Sequence, residues 1–477
     1  MRNLYIACRS SEKAALLYED NKLVEVFFDR ELDRSQVDHI YLGKVVNVEK
    51  GLQAAFVDIG TGTNGFLRQQ EIGNQGERIE SLLTIGQYII VQVKKDGIGK
   101  KGPLLTTDLT IAGSYSVYLP KRDQVSVSHK ISKEEQANLK EIITPMLEKK
   151  EGVIVRTAAK HLDSSSIRNE LSFLREKWRQ AKGRIDRKKP GMIMESTLVP
   201  DGVLRKYPIH FIDECIVDDA SLSKQIKSMY PLYSDRIKWV KHWNNHQGYS
   251  INECQEKLVQ RSVAAAKGVN LTIDETEAMN VIDVNSHGFT GRSDKGQTAY
   301  QANLASVNEI ARQIRLRNLS GIVMIDFINT GSRKNNDGIE SALKQAMKND
   351  PIPTVCHGFT KLGLYEITRK REYASWSSKL TENVTSHKKR STVLFQMERD
   401  ILALEDSSHE AILVAVSPEL DQLKKQLLST SVSSKIPQEV FFRVDPVLND
   451  YMIEMAGSLN TVREYVASRG YHVDKSF

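Results

Sequence analysis

The sequence predicts a multidomain α/β protein, and three patterns along its 477 residues lead to this fold class. Five closely spaced β-type segments, separated by glycine and polar turns, fill residues 38–108. Two further β-type segments, 281–286 and 322–329, each carry an aspartate and flank a helical pattern. Strand and helix patterns also occur in the last stretch, residues 383–477. A chain of this length accommodates about three domains, each with its own core.

The N-terminal third is predominantly β-type. Residues 2–29 alternate apolar runs with a polar turn at residues 19–21, which indicates a hairpin or meander. Residues 38–108 then contain segments such as IYLGKVVNVE, LQAAFVDIG and QYIIVQVKK, without a long helical pattern. About 70 residues in five short strands is the size of a small Greek-key barrel, so we predict an OB-fold here.

The middle of the chain mixes strands and helices. A strand is predicted at 152–158, between helices at 134–148 and 167–183. The polar, basic stretch 183–191 reads as a linker or an exposed loop. Residues 201–263 are again α/β in pattern, with HFIDECIVDD predicted as a strand that enters a helix. In the last module the strand candidates are AILVAVS and EVFFRVD, with amphipathic helices between them.

The most informative segments are VIDVNS and IVMIDFIN, because each places a carboxylate in an apolar strand. Alternate side chains of a strand share a face, so Asp283 and Asn285 point the same way, and Asp326 projects between Met324 and Ile328. Burying an unpaired carboxylate among aliphatic side chains is too costly unless a cation or several donors compensate it. The pair therefore predicts a shared, largely hydrated divalent ion held by oxygen ligands, Mg²⁺ or Mn²⁺.

The segment between the two strands supports this interpretation. Apolar residues recur at helical spacing over residues 298–319, and a strand–helix–strand crossover makes the flanking strands parallel neighbours. Asp283 and Asp326 then lie near the carboxyl ends of their strands, where open α/β sheets bind ligands. The alternative is that each aspartate caps a turn or pairs with an arginine; two at matching strand ends favour the metal.

Composition excludes several function classes. The 67 basic and 60 acidic residues give a net charge of +7 and a pI near 8.9, which is compatible with a polyanionic partner. No apolar run approaches the ~18 residues of a transmembrane helix, and the first residues lack a signal-peptide pattern. The four cysteines are scattered without a CxxC pair, which favours reduced thiols in a cytoplasm. Basic clusters occur at Lys94, Lys95, Lys100 and Lys101, at Arg187, Lys188 and Lys189, and at Arg369, Lys370 and Arg371.

The predicted barrel carries candidate RNA-binding residues. Phe56 and Phe66 stand on adjacent predicted strands, with Lys101 in a basic hairpin nearby. Aromatic faces stack on unpaired bases and lysines contact phosphates, although two phenylalanines could equally belong to the barrel core. The strings LGKVVNVEKGLQAAFVDIG and NGFL closely resemble an S1-type RNA-binding domain, which favours the RNA-binding interpretation.

The order of motifs along residues 2–382 resembles the ribonuclease E/G family. After the S1-like strings come IVRTA, EAMNVIDVNS, NEIARQIRLRNLSGIVMIDFI and LGLYEITRKR. The chain is similar to the short, ribonuclease G-type members, which lack the long C-terminal scaffold. The resemblance implies a first part of a split ribonuclease H-like subdomain (1–35), an S1 domain (36–113), a 5′-sensor subdomain (114–200), the second ribonuclease H-like part (201–263), a DNase I-like catalytic domain (264–382), and a linker with a small α/β domain (383–477).

The resemblance also implies an activity. It makes Asp283 and Asp326 the Mg²⁺ ligands and Asn285 the residue that positions one of them. The implied reaction is metal-dependent endonucleolytic cleavage of single-stranded, AU-rich RNA in cytoplasmic rRNA processing and mRNA decay. In-line attack by water would leave a 5′-phosphate and a 3′-hydroxyl. The loop HGFTGRSDKG could supply backbone donors and Arg292 to the phosphate, or could be a plain connection.

A pocket that senses a 5′-monophosphate on the RNA is implied as well. By similarity, Arg156 and Thr157 would bind the phosphate, since a guanidinium fork and a hydroxyl suit its three oxygens. Gly113 and Val117 would supply the adjoining wall. The alternative for Arg156 is an ordinary surface ion pair.

This sequence departs from the family pattern around that pocket. Where the family tends to have a pair of arginines, the chain has Ser128, His129 and Lys130. Pro353 falls where a further arginine is expected. Weaker or altered sensing of the 5′ end is therefore expected.

A second departure concerns zinc. Family members often carry a CPxCxG string through which two subunits share one zinc ion. The corresponding stretch here, EYASWSSKLTENVTSHKKR, has no cysteine, and the adjacent Cys356 and His357 do not have the spacing of a zinc knuckle. We expect no zinc link, so a homodimer would need other contacts.

Two rival functions remain open at this stage. One is an RNA-binding or ribosome-associated protein that has weak cleavage activity or has lost it. The other is an S1-containing RNA-binding module of a processing complex. Both predict RNA affinity without turnover that depends on a divalent ion, whereas the aspartates at two strand ends favour the nuclease.

Overall fold

The computed structural model describes residues 1–31, 35–72, 77–97, 101–160, 162–185, 189–241, 249–286, 295–371, 374–381, 388–427 and 435–474. The predicted phosphate loop with Arg292, and the basic residues Lys100, Arg187 and Lys188, lie outside these ranges. The chain divides into two compact units. Unit 1 comprises Met1–Cys8, Lys13–Ala15 and Phe27–Trp243, and unit 2 comprises Arg9–Glu12, Leu16–Val26 and Asn244–Phe477.

The first half of the chain contains short strands and five helices among the described residues. The strands are β1 (Arg2–Ala7), β2 (Lys13–Glu19), β3 (Lys22–Asp29), β4 (Ile40–Glu49), β5 (Ala54–Asp58), β6 (Gly65–Arg68), β7 (Tyr88–Lys95), β8 (Leu104–Thr106), β9 (Ile111–Ala112), β10 (Ser116–Leu119), β11 (Val125–Val127), β12 (Gly152–Val155), β13 (Gly191–Met194), β14 (Glu214–Val217) and β15 (Ile237–Trp239). The helices are α1 (Ile79–Leu82), α2 (Lys133–Ile143), α3 (Ser164–Gly183), α4 (Val203–Lys206) and α5 (Ala220–Met229).

Strands β4 to β8 form a closed barrel. They are ordered β4-β5-β6-β8-β7, and antiparallel pairing of β4 with β7 closes the ring. Inward-facing Val45, Val57, Leu67 and Leu105 are fully buried in its core. A small five-stranded barrel in the predicted position is thus confirmed. The predicted linker ends at β13, which pairs with the outer edge of β4.

Two further sheets occur in this half of the chain. One has the order β15-β14-β1-β2-β3, in which β1 and β15 both run parallel to β14. The other, β11-β12-β10-β9, carries the candidate 5′-phosphate residues. Helix α3 begins at its N-cap Asp163, whose carboxylate accepts from the amide of Ser166, and its apolar stripe of Ile167, Leu171 and Trp178 is buried. Helix α2 ends five residues earlier than predicted, at Ile143.

The second half contains two more sheets. Its strands are β16 (Ser262–Ala264), β17 (Asn270–Glu275), β18 (Met279–Asn285), β19 (Gly321–Asp326), β20 (Thr354–Phe359), β21 (Leu364–Arg369), β22 (Ala411–Val416), β23 (Glu439–Val444) and β24 (Tyr451–Gly457). Its helices are α6 (Ile251–Val259), α7 (Lys295–Arg317), α8 (Arg333–Met347), α9 (Trp376–Leu380), α10 (Arg390–Leu402), α11 (Pro418–Leu427) and α12 (Leu459–Arg469).

The larger sheet of unit 2 bears the two aspartates. Its strand order is β16-β17-β18-β19-β21-β20, and β18 runs parallel to β19 as the crossover through α7 predicts. Helices α7 and α8 contribute Ile310, Ile314, Ile339 and Leu343 to the core against one face of the sheet. The opposite face, which we call the open face, carries half-buried and exposed side chains.

The C-terminal module is a three-stranded sheet, β23-β22-β24, with helices α10 to α12. The first two strands match the predicted segments. Strand β24 is not predicted by the sequence, because YMIEMAG is apolar at most positions and does not alternate with polar residues. In the fold, none of its residues is fully buried. In the described residues, no helix is long and apolar enough to cross a membrane.

Candidate functional site

Asp283 and Asp326 are direct register partners on the parallel strands β18 and β19. Partners on neighbouring strands point to the same side of a sheet, and the strands are about 4.8 Å apart. Asp283 is half-buried and Asp326 is exposed, both on the open face. The two carboxylates are therefore close enough to share one ion.

The predicted burial of these carboxylates among aliphatic side chains is wrong. The buried residues of the two strands are Ile282, Val284, Val323 and Ile325, which point to the helix-covered face. The aspartates occupy the alternate positions, where solvent meets the sheet. They need no cation to compensate a desolvation penalty, so the case for a metal rests on their proximity and shared direction.

Asn285 and Thr272 fix the orientation of Asp283. The Asn285 amide Nδ2 donates to Asp283 Oδ2 at 2.7 Å and to Thr272 Oγ1 at 3.2 Å. Thr272 lies on β17 and is the register partner of Asp283. Sequence reasoning missed Thr272, although aligning the hairpin of β17 and β18 would have placed it opposite the aspartate.

Asn303 on α7 anchors the chain just after Asp326. This fully buried side chain donates to the carbonyl of Ile328 at 2.8 Å and accepts from the Ile328 amide at 3.0 Å. The segment that leaves β19 is thus tied to the helix beneath the sheet. Sequence reasoning missed this residue too; its signal was a polar side chain on the apolar face of a predicted helix.

The donor set suits a hard cation. Asp283 and Asp326 offer carboxylate oxygens, and in the described ranges no cluster of three or more His, Cys, Asp or Glu side chains is arranged to hold an ion. Two carboxylates are sufficient for Mg²⁺, which proteins usually bind through one or two carboxylates while water and substrate phosphate fill its other positions. Structural zinc prefers four sulfur and nitrogen ligands, which this pair does not supply.

The barrel presents two aromatic rings on its outer surface. Phe56 and Phe66 are register partners with ring centroids 5.6 Å apart, and both are half-buried rather than part of the core. The Arg68 guanidinium carbon lies 5.7 Å from the Phe66 ring centroid. Lys101 is exposed, two residues before Pro103, whose carbonyl accepts from the Phe66 amide at 2.8 Å.

Arg156 is anchored by backbone carbonyls. Its Nη1 donates to the carbonyls of Gly113 at 2.9 Å, Ser114 at 3.3 Å and Arg205 at 3.2 Å. In the described part of the chain no carboxylate lies within ion-pair distance, so the surface ion pair considered for Arg156 is not formed. Burial lowers the pKa of this guanidinium, and the nearby charge of Arg205 lowers it further. A fixed cation without a bound carboxylate can accept an anionic ligand.

The other predicted pocket residues surround this arginine. Thr157 is exposed, and its Oγ1 lies 2.8 Å from Ser128 Oγ. Val117 on β10 is half-buried, and its register partner on β12 is Ile154, two residues before Arg156. The structure therefore brings Gly113, Val117, Arg156 and Thr157 together, with Ser128 beside them. His129 and Lys130 follow Ser128 and are exposed, and Pro353 lies in unit 2.

A buried glutamate that sequence reasoning missed shapes this pocket. Glu170 on α3 accepts hydrogen bonds from the amides of Ser114, Tyr115 and Ser116 and from the Ser116 hydroxyl, at 2.6–3.2 Å. Burial raises the pKa of Glu170, and these hydrogen bonds oppose the rise. The available signal was an acidic residue between Ile167 and Leu171 on the apolar face of a predicted helix.

Comparisons with known proteins identify the family. The model of the ribonuclease E/G family matches residues 110–372, and that of the S1 RNA-binding domain matches residues 34–96. The chain belongs to the ribonuclease E/G family. It is therefore an endoribonuclease of the ribonuclease E/G type, and the predicted resemblance is confirmed. The first match includes both aspartates and Arg156, and the second includes Phe56 and Phe66.

Several relatives extend the similarity over the chain. Ribonuclease G of Salmonella typhimurium is 30% identical over 482 residues, covering 95% of this chain and 99% of the relative. Ribonuclease G of Haemophilus influenzae is 31% identical over 444 residues, covering 86% and 89%. Ribonuclease E of Escherichia coli is 31% identical over 395 residues, which is 78% of this chain but 37% of that protein. Within the ribonuclease E/G family the chain thus has the length of the G-type members.

Proposed function

We propose that this member of the ribonuclease E/G family is a metal-dependent endoribonuclease that cleaves single-stranded, AU-rich RNA to 5′-phosphate and 3′-hydroxyl products. We assign it to rRNA processing and mRNA decay in the cytoplasm. The observation that carries the proposal is the pairing of Asp283 with Asp326 on one open sheet face. AU-rich preference, product chemistry and location follow from the family resemblance.

Asp283 and Asp326 would hold one Mg²⁺, or Mn²⁺ in its place. When bound, the ion supplies the Lewis acidity that activates water and neutralises charge on the scissile phosphate. Asn285 holds one oxygen of Asp283 through its amide, which fixes the carboxylate rotamer and leaves the other oxygen free to face a ligand. Thr272 in turn holds Asn285.

Water and RNA are the only reactants that the cleavage consumes. The water oxygen forms a bond to phosphorus as the bond from phosphorus to the 3′-oxygen breaks, in line with the attack. The phosphate stays on the downstream fragment as a 5′-phosphate, and a proton passes through solvent to the leaving 3′-oxygen. Asp283 and Asp326 are the residues that would organise this step, because they are paired on one open sheet face.

The barrel would bind the single strand. The outward faces of Phe56 and Phe66 suit stacking by two unpaired bases, and Lys101 would contact a backbone phosphate. Stacking is tolerant of sequence, since every base has a π-face. Specificity for single strands follows because bases in a duplex are already stacked on one another.

The pocket at Arg156 would bind a 5′-monophosphate. The guanidinium is fixed through Nη1, which leaves its remaining nitrogens to donate to phosphate oxygens. Thr157 adds a hydroxyl, and Gly113 and Val117 form the wall. Because Thr157 shares its hydroxyl with Ser128, and the chain lacks the family's arginine pair there, we propose that 5′ sensing is weak. We also propose that no zinc link joins subunits and that any homodimer uses other contacts.

One assay tests the central claim. A single-stranded, 5′-monophosphorylated, AU-rich oligoribonucleotide is incubated with Mg²⁺ or EDTA, using wild type, Asp283→Asn and Asp326→Asn. We expect internal cleavage by wild type with Mg²⁺ alone, and binding without cleavage by both variants. Asp274→Asn is the matched control, since Asp274 lies on the same face and forms an exposed ion pair with Arg261. RNA binding without cleavage by wild type, under Mg²⁺ and Mn²⁺ alike, would instead favour a non-catalytic RNA-binding protein.

A further inference from the structure

The open face carries four apolar side chains directly behind the paired aspartates. Two residues before the aspartates on β18 and β19, Val281 is the register partner of Met324. Four residues before the aspartates, Met279 is the register partner of Ile322. We call these four residues the apolar stripe. They alternate with the buried core residues of the same strands, so all four point to the same face as the aspartates.

The apolar stripe is accessible to a ligand. Ile322 is 45% exposed and Met279 is 38% exposed, while Val281 and Met324 are half-buried. A single exposed apolar residue is ordinary on a protein surface, but a contiguous group beside a reactive site indicates a contact surface. The stripe is continuous with the candidate metal site, so an RNA strand with a phosphate at the aspartates can also cover the stripe.

The spacing of the stripe matches an extended polynucleotide. Side chains two residues apart on a strand are about 6.6 Å apart, twice the rise per residue. Successive nucleotides of an extended single strand are spaced comparably. An RNA strand that runs back along β18 and β19 from a phosphate at the aspartates would place one nucleotide over Val281 and Met324 and the next over Met279 and Ile322.

Charges beside the stripe select the base rather than the phosphate. Glu366 is the exposed register partner of Met324, so a carboxylate flanks the first apolar row on the β21 side. On the β17 side the register partner of Val281 is Asp274, whose charge is neutralised by its ion pair with Arg261. A phosphate over this row would be repelled. The flat, uncharged face of a nucleobase can pack on the aliphatic and thioether groups instead.

We propose that the apolar stripe is a base-binding subsite for single-stranded RNA next to the scissile phosphate. The base nearest the cleaved bond packs on Val281 and Met324, and the following base packs on Met279 and Ile322. The inference rests on the proposed function, because it takes the scissile phosphate to lie at the aspartates. The contact is non-directional, so it supports binding without reading base identity.

The far end of the stripe offers a place for the backbone to continue. Met279 forms part of the wall of a pocket of about 380 Å³ that also includes Arg371, Ser320 and Glu275. Arg371 is exposed, and among the described residues no carboxylate lies within ion-pair distance of it. Glu275 accepts from the Ser377 hydroxyl at 2.6 Å. A cation at this point would contact a phosphate that has passed the second apolar row.

The test combines protein and substrate changes. Ile322→Ser and Met324→Ser are made singly and together, and KM and kcat are measured on intact RNA and on RNA with one abasic nucleotide on either side of the cleavage site. We expect the double variant to raise KM for intact RNA about tenfold, with little change in kcat. An abasic nucleotide on one side should raise the wild-type KM similarly, yet add little in the double variant, since both changes remove the same contact.

Val355→Ser is the matched control. Val355 is 55% exposed on the same face but lies on β20, two strands beyond β19. It should leave KM unchanged. Equal abasic penalties in wild type and double variant would overturn the proposal. So would a double variant whose only defect is loss of a dimer in sedimentation, since the stripe would then be an interface between copies.

A binding measurement separates this inference from the proposed function. Fluorescence anisotropy in EDTA gives Kd for intact and abasic RNA in the absence of any cleavage. If wild type binds but never cleaves with a divalent ion, the proposed function fails, and the stripe is still supported by a Kd that rises in the double variant for intact RNA alone. Identical Kd values for wild type and double variant overturn the stripe whether or not cleavage occurs.

Discussion

The carboxylate of Glu170 occupies the space that a side chain at Gly113 would need. A Cβ on Gly113 would lie 2.6 Å from this carboxylate, closer than such atoms approach. The glutamate fills that space because it binds the three amides that follow the glycine. Arg156 in turn donates to the Gly113 carbonyl, so the shape of this turn determines where the guanidinium stands.

Gly113→Ala should therefore disturb the proposed 5′-phosphate pocket from within. The added methyl group must displace a buried carboxylate and its hydrogen bonds, so we expect a loss of about 1–3 kcal/mol in the free energy of unfolding. The preference for 5′-monophosphorylated over 5′-hydroxyl RNA should fall as well. Gly183→Ala is the control, since nothing lies within 4 Å of its Cβ position. Thermal unfolding and cleavage of the two RNAs would check both points; an unchanged Gly113→Ala protein would contradict the geometry.

Arg156→Ala and Arg156→Lys separate the anchor from the ligand. Lysine keeps the charge but cannot donate to the carbonyls and to a phosphate in the fork geometry of arginine. We expect both variants to reduce the rate difference between 5′-monophosphorylated and 5′-hydroxyl RNA, with cleavage of the 5′-hydroxyl form little changed. The measurement is kcat/KM on the two RNAs. If wild type shows no difference between them, the pocket has lost its sensing role in this chain.

Asn285→Ala should change the response to metal more than the affinity for RNA. The substitution frees Asp283 from its 2.7 Å hydrogen bond, and loss of a residue that orients a metal ligand costs about 10–100-fold in affinity or activity. Thr272→Val, one contact further away, should have a smaller effect in the same direction. Titrating Mg²⁺ gives the concentration for half-maximal cleavage. A drop in rate with no shift in that concentration would show that Asn285 does not act through the ion.

Local patterns accounted for the arrangement of the two strands that carry Asp283 and Asp326. A period of two in VIDVN and IVMID, with helical spacing between them, was sufficient to place Asp283 beside Asp326. The same alternation also predicts which side chains face the core. Ile282 and Val284 are apolar and buried, so the aspartates at the alternate positions face the solvent. The expectation that the aspartates are buried was wrong, because it treated each apolar segment as buried on both faces of the sheet.

Contacts between distant segments could not be predicted. Glu170 reads as an irregularity on an amphipathic helix, and only the folded chain shows that amides 56 to 54 residues earlier surround its carboxylate. Asn303 likewise has its partner 25 residues away, at Ile328. Each case is a buried polar group whose partners lie far away in the sequence, which a single sequence marks only as a departure from the apolar pattern.

The barrel provides a final test, in which charge and stacking are measured separately. Phe56→Ala and Phe66→Ala should each weaken binding of single-stranded RNA by about 1–3 kcal/mol, the range for one stacked base, without changing its salt dependence. Lys101→Ala should instead lower the slope of log affinity against log salt by about 0.7, the value for one phosphate contact to a single strand. Lys94→Ala is the control, because Lys94 is paired with Glu71 at 2.7 Å on the same barrel. An unaltered slope in Lys101→Ala would remove that lysine from the RNA path, and unaltered affinity in both phenylalanine variants would show that the rings serve only to cover the barrel core.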